Sequence, residues 1–293
     1  MSRVVILMST WNGMKYLPEQ IHSLFQQDLS SDLFLLVRDD GSTDSTVDYL
    51  RSLKDPRVLV VPGENVGPKG SFFQLLKLAQ SEDADYFALC DQDDFWHPHK
   101  ISHAIAALGV DRPAIYASSL NLVDENLYQI GKYLHPGNHS FVSTLVCNYI
   151  TGCTCVFNRG FLDQLAFPER PDFTIMHDWW IASIASIDSH IVYDCCSSID
   201  YRQHGSNHVG IQTGWRALWL KLRKAVVANP EVSRFRHAEQ LLAATEDRLT
   251  SEQRADLIEF IASEHSRLRR LSFVTTHHAD LNFLSAFRYV VFG

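Results

Sequence analysis

The chain has 293 residues, 46% hydrophobic and 20% charged, so it is long enough and apolar enough to bury a large core. Its formal net charge of −8 argues against nucleic acid as a partner, because nucleic-acid-binding domains are as a rule strongly basic. The charge is uneven: residues 213–293 carry 12 Lys and Arg against 9 Asp and Glu, whereas residues 1–212 carry 14 against 25. We therefore expect two regions of different character, over residues 1–212 and residues 213–293.

Apolar runs and helical periodicity alternate through the first hundred residues. Short apolar runs predict four strands, at Val4–Met8, Phe34–Val37, Val58–Val61 and Tyr86–Cys90. Apolar residues at helical spacing predict a helix in each interval, over Leu17–Phe25, Val47–Leu53 and Phe72–Ala79. This alternation predicts an α/β fold with a mostly parallel, Rossmann-like sheet flanked by helices.

A polar cluster follows each of the four predicted strands. The clusters are Ser9–Gly13, Arg38–Asp44, Glu64–Ser71 and Asp91–Asp94. Each is also ordinary turn chemistry, since Asn, Asp, Gly and Ser dominate turns. However, the carboxyl ends of parallel strands meet at one edge of a sheet, where ligands bind in open α/β folds. We therefore expect the four clusters to form one site.

The last cluster places three carboxylates within four positions, at Asp91, Asp93 and Asp94. Adjacent anions repel one another unless a cation lies among them. Hard oxygen ligands suit Mg²⁺ or Mn²⁺, which are commonly bound together with a substrate phosphate. The alternative is a solvated acidic turn before a helix that begins near Pro98.

The second half of the chain carries fewer signals. We expect a strand over Ala114–Leu120, a helix that opens at His177–Trp180, and further helices over Val232–Arg248 and Ser251–Leu271. One residue separates Cys153 from Cys155. We interpret both cysteines as reduced packing residues rather than as half of a metal site.

The order of four motifs resembles the nucleotide-sugar domain of the inverting glycosyltransferases of family 2, which have the GT-A fold. The motifs are Thr-Trp-Asn-Gly at 10–13, Asp-Asp-Gly-Ser-Thr-Asp at 39–44, Asn-x-Gly at 65–67 and Asp-Gln-Asp-Asp-x-Trp at 91–96. Trp11 stands where the family more often has Tyr. The sequence of residues 90–96 is similar to that of bacterial members that transfer rhamnose or related sugars during surface polysaccharide synthesis.

This resemblance, which covers residues 4–210, implies roles for individual residues. It implies that the donor site is formed by Thr10, Trp11, Asn12, Asp39, Asp40, Gly67, Lys69, Asp91, Gln92 and Arg202. Asp39 would accept the imide N–H of uracil or thymine, and Lys69 and Arg202 would approach the diphosphate. Asp93 and His204 would hold Mn²⁺ or Mg²⁺.

The resemblance also implies that Asp178 is the base that activates the acceptor. A helix N-terminus stabilises an anion there, while Trp179 and Trp180 could exclude water and bind a sugar face. Two alternatives stay open: Asp178 could be only a helix cap, and His177 could be the base.

The C-terminal region predicts contact with a membrane surface or with another protein. Between Trp215 and Lys224, tryptophans and leucines alternate with basic residues, which is typical of a helix on an anionic membrane. The same apolar faces could instead pack on each other or on a second copy of the chain. With no recognisable secretory signal, we expect a cytoplasmic protein, peripheral at the inner face of the cell membrane.

Together these features predict an inverting, metal-dependent transferase. We expect it to move L-rhamnose from dTDP-L-rhamnose to a lipid-linked glycan acceptor in surface polysaccharide or O-antigen synthesis. The alternatives are a UDP-linked donor such as UDP-galactose or UDP-N-acetylhexosamine, a nucleotidyltransferase, and a catalytically silent scaffold that binds a nucleotide sugar.

Overall fold

A computed structural model describes residues 2–29, 33–109, 112–134, 139–204 and 233–292. The chain forms two compact units. Unit 1 comprises Met1–His135, Ile150–Leu165 and Ser189–Arg202, and unit 2 comprises Pro136–Tyr149, Ala166–Asp188 and Gln203–Gly293. The predicted boundary at 212 and the predicted Trp215–Lys224 helix lie outside the described residues. Within the described ranges, no helix has the length and apolarity that a membrane span requires.

Unit 1 is built on a seven-stranded sheet with the order β10-β6-β9-β4-β1-β2-β3. Its strands are β1 Val4–Thr10, β2 Leu33–Asp39, β3 Val58–Pro62, β4 Tyr86–Cys90, β6 Ala114–Ser118, β9 Val156–Asn158 and β10 His190–Asp194. Within it, β3, β2, β1 and β4 are parallel neighbours, and β9 runs antiparallel between β4 and β6. The predicted mostly parallel α/β sheet is confirmed.

The register of the parallel strands brings their polar ends together. Thr10 at the end of β1 pairs with Asp39 at the end of β2, and Asp39 pairs in turn with Pro62 of β3. On the other side, Met8 pairs with Cys90, the last residue of β4. The four polar clusters therefore leave the sheet at one edge, as the alternation of elements predicted.

Helices cover the sheet with the apolar faces that their periodicity predicted. Those of unit 1 are α1 Leu17–Phe25, α2 Thr46–Ser52, α3 Gly67–Ala79, α4 Lys100–Leu108 and α6 Arg159–Gln164. In α1, Leu17, Ile21 and Leu24 are at most 2% exposed, and β1 and β4 are buried along nearly their whole length. The core thus fixes the strand ends that carry the polar clusters.

A second, four-stranded sheet in unit 1 has the order β5-β11-β7-β8. Its strands are β5 Phe95–Trp96, β7 Leu120–Val123, β8 Gln129–Tyr133 and β11 Ile199–Arg202. Because β5 directly follows Asp94 and pairs with β11, this sheet places Arg202 beside the acidic cluster.

Unit 2 is helical in its described residues. It contains α5 Phe141–Val146, α7 His177–Asp188, α8 Arg234–Thr245, α9 Ser251–Ala262, α10 Arg267–Thr276 and α11 Phe283–Phe292. A buried aromatic cluster joins the last four helices. Tyr289 stacks on Phe260 at 5.1 Å between ring centroids and meets Phe273 edge-on at 5.7 Å. The predicted helical C-terminal extension is confirmed for residues 234–292.

One of the predicted C-terminal helices is divided in the structure. The helix predicted over Ser251–Leu271 is two helices: α9 ends at Ala262, and Ser266 caps the start of α10 by accepting the backbone N–H of Arg269. Cys153 lies in a turn of 3₁₀ helix at Gly152–Thr154, and the strand β9 begins at Val156.

Candidate active site

The loop after β1 is fastened to the loop after β2 through Asn12. This residue has a positive φ of 47°, a conformation that Asn tolerates better than most residues. Its Oδ1 accepts the backbone N–H of Thr43 at 2.8 Å and that of Asp44 at 3.3 Å, while its own N–H donates to Ser42 Oγ at 2.9 Å. Asn12 thus fixes the relative position of two loops at the predicted nucleotide site.

Asp39, the predicted base contact, is only 1% exposed and has several internal donors. Its Oδ1 accepts the hydroxyls of Thr10 at 2.9 Å and Ser42 at 2.6 Å, and its Oδ2 accepts the Ser42 N–H at 2.8 Å. In the structure, Asp39 and Thr10 therefore hold the turn after β2, and their contact with a nucleotide stays a prediction.

A buried ion pair that no sequence motif indicates lies beside these loops. Arg38 and Asp40 meet at 2.6 Å, with both side chains 3% exposed. The Arg38 guanidinium also donates to Ser71 Oγ in α3 and to the Glu64 carbonyl, while Asp40 Oδ1 accepts the Val66 N–H at 2.8 Å. The pair therefore ties β2 to the loop that leads into α3. A buried Arg two residues before an Asp leaves no periodic signal in the sequence.

Gln92 joins the acidic loop to the end of β1. Its Oε1 accepts the Trp11 N–H at 2.9 Å and its Nε2 donates to the Trp11 carbonyl at 3.1 Å. Gly13 makes room for this amide, since a Cβ at that position would lie 2.1 Å from Gln92 Oε1. The Trp11 side chain is 54% exposed beside this contact. The lack of space for a side chain thus explains the glycine at position 13 of the Trp-Asn-Gly motif.

The acidic cluster creates a strongly negative environment. Asp91 and Asp93 are partly exposed, whereas Asp94 is fully buried. Burial, and then the charges of Asp93 and Asp91, raise the pKa of Asp94 well above its usual range. Burial likewise raises the pKa of Tyr201, with Cys153 and the three aspartates adding to the effect. Such a concentration of carboxylate charge fits a divalent cation with hard oxygen ligands.

Cys153, predicted to be a packing residue, lies against this cluster. Ligand atoms of Asp91, Asp94 and Cys153 lie within 4.8 Å of one another. Burial raises the pKa of the Cys153 thiol well above its usual range, and the charges of Asp94 and Asp91 raise it further. In these surroundings the neutral thiol is favoured over the thiolate.

Lys100 contributes a buried positive charge behind the acidic loop. It is 0% exposed, its Nζ lies 4.5 Å from the centre of the Trp96 ring, and it donates to the Thr154 carbonyl at 3.3 Å. Burial lowers the pKa of Lys100, and the neighbouring thiols and Asp94 oppose this. No local pattern marks it, because the groups it faces come from separate strands.

Arg202, predicted to face the diphosphate, anchors the acidic loop in the structure. Its Nε donates to the Asp93 carbonyl at 2.8 Å, its backbone N–H donates to Asp94 Oδ1 at 3.3 Å, and its guanidinium pairs with Glu19 at 2.5 Å. The side chain is 1% exposed and also lies over the Tyr16 ring. Its contact with phosphate stays a prediction.

Gly67 and Lys69 lie in the first turn of α3, where Gly67 adopts a positive φ of 74°. The start of a 13-residue helix presents backbone N–H groups and the positive end of the helix dipole, which favour an anion. The position of Lys69 in this turn is compatible with contact to a phosphate, and that contact stays a prediction.

The predicted acceptor-side residues lie in unit 2. Asp178 is in the first turn of α7, and its Oδ1 accepts the Trp179 N–H at 2.7 Å. The Trp179 indole donates to the Thr144 carbonyl at 2.7 Å, whereas Trp180 is fully buried and donates to the Ala166 carbonyl. Burial lowers the pKa of His177 to about 3. His204, the predicted metal ligand, is partly exposed and also belongs to unit 2.

The chain is similar in sequence to a family of known proteins. The family model described as "Glycosyl transferase family 2" matches residues 5–166. The dTDP-rhamnosyl transferase RfbG of Shigella flexneri is 27% identical over 237 residues, which are 73% of this chain and 78% of that protein. A second relative is the Escherichia coli UDP-Glc:alpha-D-GlcNAc-diphosphoundecaprenol beta-1,3-glucosyltransferase WfaP, 23% identical over 60% of this chain and 69% of its own length.

Two solved structures resemble the chain in fold. Residues 1–349 of S. aureus TarS in complex with UDP-GlcNAc give a TM-score of 0.58 at 15% identity, over 99% of this chain and 90% of that one. GalNAc-T7 with UDP, GalNAc and Mn²⁺ gives 0.63 at 13% identity, over 90% of this chain and 58% of that one.

The parallel sheet, the polar clusters at one edge and the acidic loop define a glycosyltransferase with the GT-A fold. The match over more than half of its length shows that the chain belongs to glycosyl transferase family 2.

Proposed function

We propose that this glycosyltransferase is inverting and metal-dependent, and that it transfers L-rhamnose from dTDP-L-rhamnose to a lipid-linked glycan in surface polysaccharide synthesis. The observation that carries the choice of donor is the 27% identity to a dTDP-rhamnosyl transferase over 73% of the chain. For the acceptor we propose a sugar on a lipid diphosphate, the class named for the second relative.

The residues of the acidic loop fit a divalent cation, with Asp93 and His204 proposed as its ligands and Asp91 beside the donor sugar. Bound there, Mg²⁺ or Mn²⁺ would offset the negative charge of a departing nucleoside diphosphate. Gln92 and Arg202 position the loop through the Trp11 backbone and the Asp93 carbonyl.

The donor itself is proposed to lie at the edge formed by the ends of β1 and β2. Exposed Trp11 offers an aromatic face, and Asn12, Asp39 and Asp40 shape the loops around it. The N-terminus of α3 with Lys69 offers positive charge to phosphate oxygens. These groups bind and orient the donor before any bond changes.

Asp178 is proposed to accept the proton of the acceptor hydroxyl as that oxygen attacks the anomeric carbon and the nucleoside diphosphate departs. Its place in the first turn of α7 stabilises the carboxylate anion. His177 is a much weaker base, because burial lowers its pKa to about 3. We propose Trp179 as the acceptor's aromatic contact and Trp180 as its support in the core.

A thermal-shift screen tests this function. We expect dTDP-L-rhamnose or dTDP to raise the melting temperature with Mn²⁺ or Mg²⁺ present, because a ligand that binds only the folded state stabilises it. Asp93→Asn should remove the metal-dependent part of the shift. An equal shift in the presence of a chelator would contradict the metal assignment, and binding without any donor turnover would favour a silent scaffold.

A UDP-linked donor is the second candidate. It is supported by the name of the E. coli relative and by the fold shared with TarS bound to UDP-GlcNAc. The same screen includes UDP-glucose, UDP-galactose and UDP-N-acetylglucosamine, and a larger shift with one of them than with dTDP-L-rhamnose would select it.

We further propose that residues 213–293 form a separate functional region that contacts the membrane at the inner face of the cell. Exposed Phe283, Leu284 and Phe287 on α11 and the basic excess of this region support the proposal. Binding to anionic vesicles that weakens with added salt is expected. Concentration-dependent dimerisation without vesicle binding would instead assign the apolar face to a second copy.

A further inference from the structure

The C-terminal helix α8 places an imidazole against the segment that leads to Asp178. His237 is 3% exposed, and its ring centre lies 5.8 Å from that of Trp179 and 5.4 Å from that of Trp180. It therefore contacts the first turn of α7 although it lies about sixty residues further along the chain.

The hydrogen bonds of His237 form an ordered chain. Nδ1 accepts the backbone N–H of Ile175 at 3.3 Å, so this nitrogen carries a lone pair. Nε2 lies 3.1 Å from Ser183 Oγ, and that hydroxyl in turn donates to the Trp179 carbonyl at 2.8 Å. With Nδ1 as acceptor, Nε2 carries the proton in the neutral ring and donates to Ser183.

The segment that His237 holds has little regular structure of its own. It runs from a 3₁₀ turn at Pro171–Phe173 to the start of α7, so neither a strand nor a long helix sets its path. Gln240, one turn further along α8, accepts the Arg170 N–H at 2.8 Å. Two side chains of α8 therefore bind the backbone of the segment that precedes Asp178.

We propose that His237 is a positioning residue for the acceptor-activating base. Its Nδ1 fixes the backbone at Ile175, three residues before Asp178. Its Nε2 acts through Ser183 on Trp179, the residue directly after Asp178. This inference rests on the proposed role of Asp178, and it gives the C-terminal helices a part in catalysis beyond packing.

Substitutions that keep or remove the Nδ1 acceptor test the proposal. His237→Asn keeps an acceptor oxygen near the position of Nδ1, whereas His237→Phe keeps the ring but removes both polar contacts. With the nucleotide sugar selected by the thermal-shift screen, we expect His237→Phe to lower turnover by roughly 10–100-fold, because small misplacements of reacting groups are costly. Donor affinity should be unchanged, and His237→Asn should keep most of the turnover.

A matched control comes from the same helix. Thr245 is 2% exposed, and its hydroxyl donates to the Leu241 carbonyl, so Thr245→Val removes a buried hydrogen bond far from Asp178 in sequence. This variant should lose stability but not turnover. Equal losses of turnover in Thr245→Val and His237→Phe would show a general packing effect and overturn the proposal.

The decisive readout is non-additivity with Asp178. If His237 acts through the base, His237→Phe should cause little further loss of turnover on an Asp178→Asn background. A further loss as large as in the parent protein would overturn the positioning role, as would His237→Asn losing as much as His237→Phe. Near-normal turnover of Asp178→Asn alone would instead refute the proposed function on which this inference rests.

Discussion

Replacing Gly13 by Ala should have opposite effects on stability depending on whether Gln92 is present. In the parent protein the new Cβ would lie 2.1 Å from Gln92 Oε1, so the amide must leave its position. Two hydrogen bonds to the Trp11 backbone are then lost, at 2.9 and 3.1 Å. The change thus tests the link between the end of β1 and the acidic loop.

The magnitude follows from two opposing contributions. Two neutral hydrogen bonds at about 0.5–1.5 kcal/mol each contribute about 1–3 kcal/mol. Ala also restricts the unfolded chain, which stabilises by about 0.4–1 kcal/mol where the backbone conformation permits it. Gly13→Ala should therefore lower the free energy of unfolding by roughly 1–2 kcal/mol. In a Gln92→Ala background nothing is left to displace, and the same change should stabilise by about 0.4–1 kcal/mol.

Urea unfolding of the four proteins in this double-mutant cycle measures the coupling between Gly13 and Gln92. Gly160→Ala is the matched control. A Cβ there would make only ordinary contacts of 3.5 Å or more, and Gly160 lies in α6, so the variant should be stabilised. The same destabilisation by Gly13→Ala in both backgrounds would refute the link between the loops.

Two further predictions concern buried ionisable groups. Arg38→Met leaves the Asp40 carboxylate buried without its partner and should lower the free energy of unfolding by about 3–5 kcal/mol. Arg57→Met, at the more exposed Arg57–Asp55 pair, should lower it by less than about 1 kcal/mol. Similar losses for the two variants in urea unfolding would contradict the structural role of the buried pair. Burial lowers the pKa of His177 to about 3 in the folded state, whereas its pKa in the unfolded chain is about 6.5. At a pH below about 6.5 the unfolded chain therefore binds more protons than the folded protein, and the free energy of unfolding falls as the pH falls. Between about pH 7.5 and about pH 5 this amounts to roughly 2 kcal/mol, which His177→Gln should lack; parallel pH profiles of the two proteins would rule out a buried neutral imidazole.

The sequence predicted the fold wherever the signals are local. The β1–β4 strands were visible as apolar runs, and the parallel register then brought Thr10, Asp39 and Cys90 to one edge, as the alternation required. The single helix predicted over Ser251–Leu271 was wrong, because α9 ends at Ala262 and Ser266 caps a new helix within an otherwise helical pattern.

Within the candidate site, the sequence indicated residue types but not their internal partners. The motifs located Asp39 and Gln92, yet their hydrogen bonds to Ser42 and Trp11 depend on the register of separate strands. Lys100 and His237 were missed for the same reason: each faces groups that are distant in sequence, and neither belongs to a periodic or motif-like pattern.

We propose that donor binding depends on Asp93 and acceptor activation on Asp178. Calorimetric titration with dTDP-L-rhamnose and Mn²⁺, combined with turnover on a lipid-diphosphate-linked sugar, separates the two steps. Asp178→Asn keeps an amide oxygen that can accept the Trp179 N–H, so the protein should bind the donor nearly as the parent does while turnover falls by roughly 10²–10⁴-fold through loss of the base. Asp93→Asn should lose both. An Asp178→Asn protein with near-normal turnover, or an Asp93→Asn protein with undiminished Mn²⁺-dependent binding, would contradict the account.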